Sequence, residues 1–141
     1  MMTKITQVEI HEFGFNVPNL GNLTGADSVG AIGYMKGSVS RIEKFALVII
    51  TEDGCRGEYV THWCSTPSTC AQAKTLAPKL IGRHAEEREG IYDDMKRELR
   101  QFDHMGQGPI DIALWDWAGK KLDCSVSVLL GGYRKKLPAY A

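Results

Sequence analysis

The sequence predicts an α+β fold, a three-stranded antiparallel sheet followed by a three-helix layer. Strand-type patterns are confined to residues 4–60, an Asp53-Gly54 turn sits inside them, and three stretches with helical spacing come after with no strand between. Strands in one run and helices in the next are the pattern of an α+β domain. The chain has 141 residues, enough for one ordinary domain and too few for a (β/α)₈ barrel of roughly 250.

Lys4 to Phe13 reads as the first strand, with Thr6, Val8 and Ile10 on one face and Ile5, Gln7, Glu9, His11 and Phe13 on the other. From Gly14 to Ser40 the alternation dissolves. Six glycines, Pro18 and three asparagines leave only scattered apolar residues, and a loop of that length in a compact domain is usually functional or disordered. Glu43 to Thr51 carries the run Phe45-Ala-Leu-Val-Ile-Ile50, the length and β-branched content of a strand buried on both faces. Asp53-Gly54 supplies the positive φ that a tight hairpin needs, and Cys55 to Val60 is the returning strand.

Thr66-Pro67 reads as an N-cap with Pro in the first turn. Thr69, Ala73, Leu76, Ala77, Leu80 and Ile81 form the stripe of a first helix, which Pro78 should kink or break before a stop at Gly82. Glu86 to Phe102 is the second helix, with Ile91, Met95, Leu99 and Phe102 on its apolar face and an acidic start suited to the helix dipole. A third begins near Pro109. Ile110, Ala113, Leu114, Trp117, Ala118 and Leu122 recur at helical spacing, and Asp116 to Lys120 is a well-oriented i,i+4 pair. Leu129-Leu-Gly-Gly132 closes the helical part, and Tyr133 to Ala141 leaves as a tail.

Composition excludes several classes of function. Lys+Arg 17 against Asp+Glu 17 gives a formal charge of +0, so no net field recruits nucleic acid or an anionic membrane. The N-terminus has no apolar signal region and the longest strongly apolar run, Phe45 to Ile50, falls far short of the ~20 residues that span a bilayer. The expected location is cytoplasmic. The four cysteines Cys55, Cys64, Cys70 and Cys124 form no C-x-x-C pair and read as free thiols, Cys70 and Cys124 as small apolar fillers.

Most candidate chemical groups have a plainer explanation. His62, Cys64, Cys70 and His84 lie in one stretch but match no zinc spacing. Glu86-Glu87 and Asp93-Asp94 suit a solvated helix face better than a carboxylate pair. Leu-Leu-Gly-Gly lacks the spacing of a phosphate loop, and Arg134-Lys-Lys136 is too short a basic run for nucleic acid. Glu58-Tyr-Val-Thr-His-Trp63 is more informative, because it places Thr61, His62 and Trp63 at a strand end, where loops often carry binding residues. Trp63 could equally be a staple on the following helix. Tyr34, Lys36 and Arg41 at the end of the long loop pose the same choice. No nucleophile with an adjacent base, metal cage or phosphate cradle is complete.

Gly108-Pro-Ile-Asp-Ile-Ala-Leu-Trp-Asp-Trp-Ala-Gly-Lys-Lys-Leu-Asp-Cys-Ser-Val-Ser-Val-Leu-Leu-Gly-Gly132 resembles the mandelate racemase/muconate lactonizing enzyme group of the enolase superfamily. Ala113 to Lys120 and Leu129 to Gly132 are its most specific parts. The Asp53-Gly54 hairpin with Gly57-Glu58, the Leu-Ala-Pro-Lys-Leu-Ile-Gly helix end and the Leu137-Pro-Ala-Tyr-Ala141 tail agree with it. The resemblance implies an N-terminal capping domain over 1–132, with 133–141 linking to a barrel domain that this chain does not contain. Two capping-domain loops close over substrate and exclude water in that group, and here they correspond to about 14–40 and 59–65. Tyr34, Lys36, Thr61, His62 and Trp63 become the expected substrate-binding residues.

The chemistry implied is abstraction of the proton α to a carboxylate, with Mg²⁺ and a Lys or His base offsetting its weak acidity. Ligands and base would belong to the barrel, so no catalytic or metal-binding residue is assigned here. The implied substrate is a hydroxy or sugar acid, the reaction dehydration or racemisation/epimerisation, and the implied partners are the chain's own barrel domain and further copies of itself. Polar Lys36, Arg41, Thr61 and His62 favour a polyhydroxylated substrate over an aryl one. A different class of reading makes the 141 residues a non-catalytic structural or binding module, and a reading frame that stopped at Ala141 would favour it. Without a barrel, the Ile110–Leu122 faces, Trp115 or Trp117 among them, are expected to be exposed and to drive association.

Overall fold

The computed structural model describes residues 2–22, 32–62 and 66–139. Three antiparallel strands, β1 (Ile5–Asn22), β2 (Ile32–Thr51) and β3 (Arg56–Val60), form one sheet in the order β1-β2-β3. Among the described residues, four α-helices come after the sheet: α1 (Thr66–Leu76), α2 (Arg88–Glu98), α3 (Gln107–Lys121) and the short α4 (Val126–Leu129). The predicted α+β class and its three-stranded antiparallel sheet are both present.

β2 is central because it holds the most apolar run of the chain. Phe45, Leu47 and Ile49 alternate inward with no measurable exposure, each worth about 1.5–3 kcal/mol of burial. The helices meet them with Ala73 and Leu76 from α1, Ile91 and Met95 from α2, and Ile110, Ala113, Leu114 and Trp117 from α3. A register irregularity between Ile5 and Gln7 turns Ile5 into this core with Val8 and Ile10. Simple alternation had placed it on the opposite face. The start of β1 is also hooked to the α1–α2 connection, where Ile5 N–H donates to Arg83 O and Gly82 N–H to Ile5 O, both at 2.8 Å.

The expected loop at 14–40 is the largest departure. Its described part continues both strands into a long two-stranded ribbon, paired from Gly14↔Glu43 to Asn22↔Ile32. Residues 23–31 of the same stretch lie outside the described residues. Most ribbon side chains are exposed or half-buried, and a ribbon that buries neither face has no need of apolar alternation. Backbone pairing, not apolar burial, builds it, which is why periodicity missed it.

Among the helices, Pro78 breaks α1 as expected: the helix ends at Leu76 and Ala77–Lys79 winds on as a 3₁₀ turn. Gly82 then stops it with φ 83°. α2 is shorter at both ends than Glu86–Phe102, leaving Phe102 at 65% exposure, and Leu122 is likewise outside the core at 62%. Trp117, counted with Trp115 as a residue that loss of a barrel would expose, is only 1% exposed. It lies on the sheet-facing side of α3, where its indole Nε1 donates to Thr51 Oγ1 at 2.9 Å. Trp115 is half-buried beneath the Arg88 guanidinium, which stands 4.3 Å from the ring centroid. No helix among the described residues is long and apolar enough to cross a membrane.

Candidate functional site

At the base of the ribbon, β1 and β2 face the beginning of α1 across a small cavity, and of the expected substrate-binding residues Tyr34, Lys36, Thr61 and His62 none lines it. A cavity of about 240 Å³ is lined by Glu12 and Phe13 of β1, Arg41, Glu43 and Lys44 of β2, and Thr66, Pro67 and Cys70 of α1. Arg41 enters its lining because Gly14 has no side chain. A Cβ there would stand 2.8 Å from Arg41 Nη2, so glycine lets the guanidinium lie flat across β1. Arg41 Nε donates to Glu43 Oε1 at 3.2 Å. Glu12 pairs with Lys74, whose ammonium holds the Glu12 carboxyl below its ordinary value. Burial, followed by the Glu12 charge, pushes the neighbouring Cys70 thiol up, which leaves it a poor nucleophile.

The strand end is pinned on both sides. Thr61 N–H donates to Phe45 O at 2.9 Å and Phe45 N–H donates to Thr61 Oγ1 at 3.0 Å. Thr61 is 2% exposed, so its hydroxyl is engaged in holding β3 to β2. His62 next to it is exposed. Its carbonyl accepts from Thr66 Oγ1 at 3.2 Å, tying the connection to the first turn of α1. Trp63 and Cys64 lie outside the described residues. Tyr34, 74% exposed, and the exposed Lys36 stand farther along the ribbon than the cavity-lining Arg41.

The Trp-Asp-Trp-Ala-Gly-Lys segment has a structural task that sequence reading left unassigned. Asp116 Oδ2 accepts from the Glu58 backbone N–H at 2.8 Å, and Lys120 Nζ lies 2.7 Å from both Glu58 Oε2 and Asp116 Oδ2. Gly57 lets β3 approach α3 closely: a Cβ there would overlap Ala113 O and lie 2.6 Å from Trp117 Cβ. Lys121 completes the clamp by pairing with Asp53 of the hairpin turn. The i,i+4 pair Asp116–Lys120 was legible; its third member, Glu58, comes from a strand and was not. The clamp fixes the line of β3 and therefore where His62 emerges.

A larger cavity of about 720 Å³ lies between the end of α1, the 3₁₀ turn and α2, with Leu76, Leu80, Ile91, Met95 and Phe102 among its lining. None of the expected substrate-binding residues Tyr34, Lys36, Thr61 and His62 lines it, and size alone does not make it the site. Among the described residues, no three His, Cys, Asp or Glu side chains are grouped to hold a metal ion.

Residues 33–131 match a family model described as mandelate racemase / muconate lactonizing enzyme, N-terminal domain. An arabinonate dehydratase of Saccharolobus solfataricus is 33% identical over 106 residues, covering 70% of this chain and 28% of that protein. An N-succinyl-L-Arg/Lys racemase of Bacillus cereus is 32% identical over 114 residues, covering 79% and 30%. The chain thus spans under a third of the length of these curated relatives. Among solved structures, D-glucarate dehydratase from Agrobacterium tumefaciens complexed with magnesium superposes with a TM-score of 0.76 at 29% identity, over 99% of this chain and 35% of that one. L-Talarate dehydratase from Polaromonas sp. JS666, complexed with Mg and L-glucarate, gives a TM-score of 0.67 at 26% identity, over 94% and 36%.

Proposed function

The chain belongs to the mandelate racemase / muconate lactonizing enzyme N-terminal domain family, and from that premise we propose that it is the capping domain of a Mg²⁺-dependent dehydratase acting on a sugar acid. The observation that carries this reading is the family match over residues 33–131 in a chain whose relatives include dehydratases, and the cavity at the base of the ribbon, with Arg41 facing the start of α1, supports it. Racemisation or epimerisation is the second reaction, favoured by the racemase among the relatives. In this reading residues 1–132 cap a barrel reached through 133–141, and the barrel supplies the metal ligands and the base. Further copies of the whole chain complete the assembly.

This domain's own part is recognition. Lys36 and Arg41 offer cations to a carboxylate substrate, while Tyr34 and His62 offer a ring and hydrogen-bonding groups to its hydroxylated chain. Thr61 acts through its bonds to Phe45, holding His62 in place. The test is incubation of the barrel-containing enzyme with a panel of acid sugars in D₂O, with and without a Mg²⁺ chelator. Loss of water, or deuterium exchange without it, separates the two reactions. Turnover that survives complete removal of divalent metal would overturn the reading.

A further inference from the structure

Two ribbon residues hold left-handed backbone, Asn19 with φ 57° and Gly37 with φ 83°. They face each other across a break in the ladder. Pro18↔Val39 and Leu20↔Tyr34 are both paired, so the segment Met35 to Ser38 stands opposite Asn19 alone. A bulge of this kind re-aims the side chains it carries and frees them from two-face alternation.

The bulge is tied at both ends. Asn19 Oδ1 accepts the Gly37 backbone N–H at 2.8 Å. Ser38 Oγ donates to Met35 O at 2.6 Å and Ser40 Oγ to Leu20 O at 2.7 Å. Gly21 makes room for Met35, whose Sδ would stand 2.9 Å from a Cβ at that position. Lys36 sits between these ties, exposed. Asn19 serves twice, since asparagine tolerates positive φ better than other residues with side chains and its amide oxygen is the acceptor.

We propose that Asn19 is a positioning residue for substrate recognition: its bond to Gly37 N–H fixes the Met35–Ser38 bulge and so the direction in which Lys36 presents its ammonium to the substrate carboxylate. This rests on the reading that Lys36 meets substrate. A latch of this kind affects binding without touching the reacting atoms, so it should appear in KM and leave kcat alone.

The test uses the barrel-containing enzyme with arabinonate and D-glucarate as probes, and amide exchange at Gly37 as a readout that needs no turnover. Asn19→Gly keeps the permissive backbone and deletes the acceptor, whereas Asn19→Asp keeps both. Gly37→Ala adds only conformational pressure, because nothing lies within 4 Å of the added Cβ. The expected result is that Asn19→Gly loses Gly37 protection and raises KM in the same direction as Lys36→Ala, by up to about tenfold, with kcat unchanged. Asn19→Asp should restore both, Gly37→Ala should raise KM as Asn19→Gly does, and Lys36→Ala/Asn19→Gly should be no worse than Lys36→Ala. If Lys36→Ala raises KM but Asn19→Gly loses protection without changing it, or adds fully to Lys36→Ala, the positioning role is wrong while the recognition reading stands. If Lys36→Ala leaves KM unchanged for an acid the enzyme turns over, the recognition reading fails and this inference with it.

Discussion

Gly57 is the residue on which the contact between sheet and helix layer depends most sharply. Its missing side chain is filled by the Ala113 carbonyl and Trp117 Cβ, both backbone-anchored atoms that cannot rotate away. Gly57→Ala should therefore force β3 off α3 and destabilise the protein by about 2 kcal/mol or more, in the range of overpacked cores. Gly108 is the contrasting case, lying in the first turn of α3 with open space around it. Gly108→Ala should stabilise by about 0.5–1 kcal/mol through the unfolded chain's entropy. Paired urea melts of the two variants check both signs, and a Gly57→Ala protein as stable as wild type would refute the close-approach account. The Gly57-Glu58 pair was visible in the sequence as part of a resemblance. Its reason was not, because the atoms that demand glycine come from a helix more than fifty residues away.

At the scale of elements, legibility followed burial. The three main helices stood out because each hides one face, which writes a period of 3.6 into the chain, whereas β2 stood out by its continuous apolar run, of which the structure buries only Phe45, Leu47 and Ile49 and not both faces as expected. The ribbon past Gly14 hides neither face, so its glycines, Pro18 and asparagines looked like a loop while the backbone paired throughout much of it. Candidate residues obeyed the same logic: Tyr34, Lys36 and His62 were legible as polar or aromatic groups beside structure, whereas the Asn19–Gly37 latch needs a register that no local pattern states. The junction between hairpin turn and α3 carries a pH prediction. Lys121 holds the Asp53 carboxyl well below the usual carboxylate range, assisted by the Thr51 hydroxyl and the Cys55 N–H. A depressed folded pKa contributes stability that is full above the unfolded value of about 3.9 and is lost as pH falls through the folded one. Glu86, which burial pushes up but the Thr3 backbone N–H and smaller contributions pull below its ordinary value, acts in the same sense. Asp53→Asn should lower Tm near neutrality, flatten its fall on acidification, and meet the wild type at the acid end. Both side chains keep about a third of their surface in water, 36% for Lys121 and 33% for Asp53, so screening keeps the effect modest; parallel Tm-against-pH curves would show that the pair contributes nothing.

For the whole molecule, the apolar surface is distributed in a way that bears on what the chain does alone. The sheet-facing side of α3 is saturated, with Ile110, Ala113, Leu114 and Trp117 all at 1% exposure or less. Its other side and the segment beyond its C-terminus remain open to water: Ile112 is 48% exposed, Leu122 62%, Leu130 65%, Tyr133 91% and Leu137 70%. These residues lie on α3, around α4 and on the tail that in the proposed reading leads into the barrel. A fold that has already closed its own core gains nothing further by rearranging to cover them, so the remaining route out of water is association. The 141-residue chain by itself should self-associate, with sedimentation shifting to larger species as concentration rises. Leu122→Lys with Leu130→Lys should return it toward a monomer without lowering Tm, because neither side chain is part of the core. The barrel-containing protein should lose this sensitivity, since the same surface is then internal. A wild-type chain that sediments as a monomer at every concentration and melts cooperatively would mean that these residues form no contiguous patch, and would remove the main physical reason for expecting a barrel against that side.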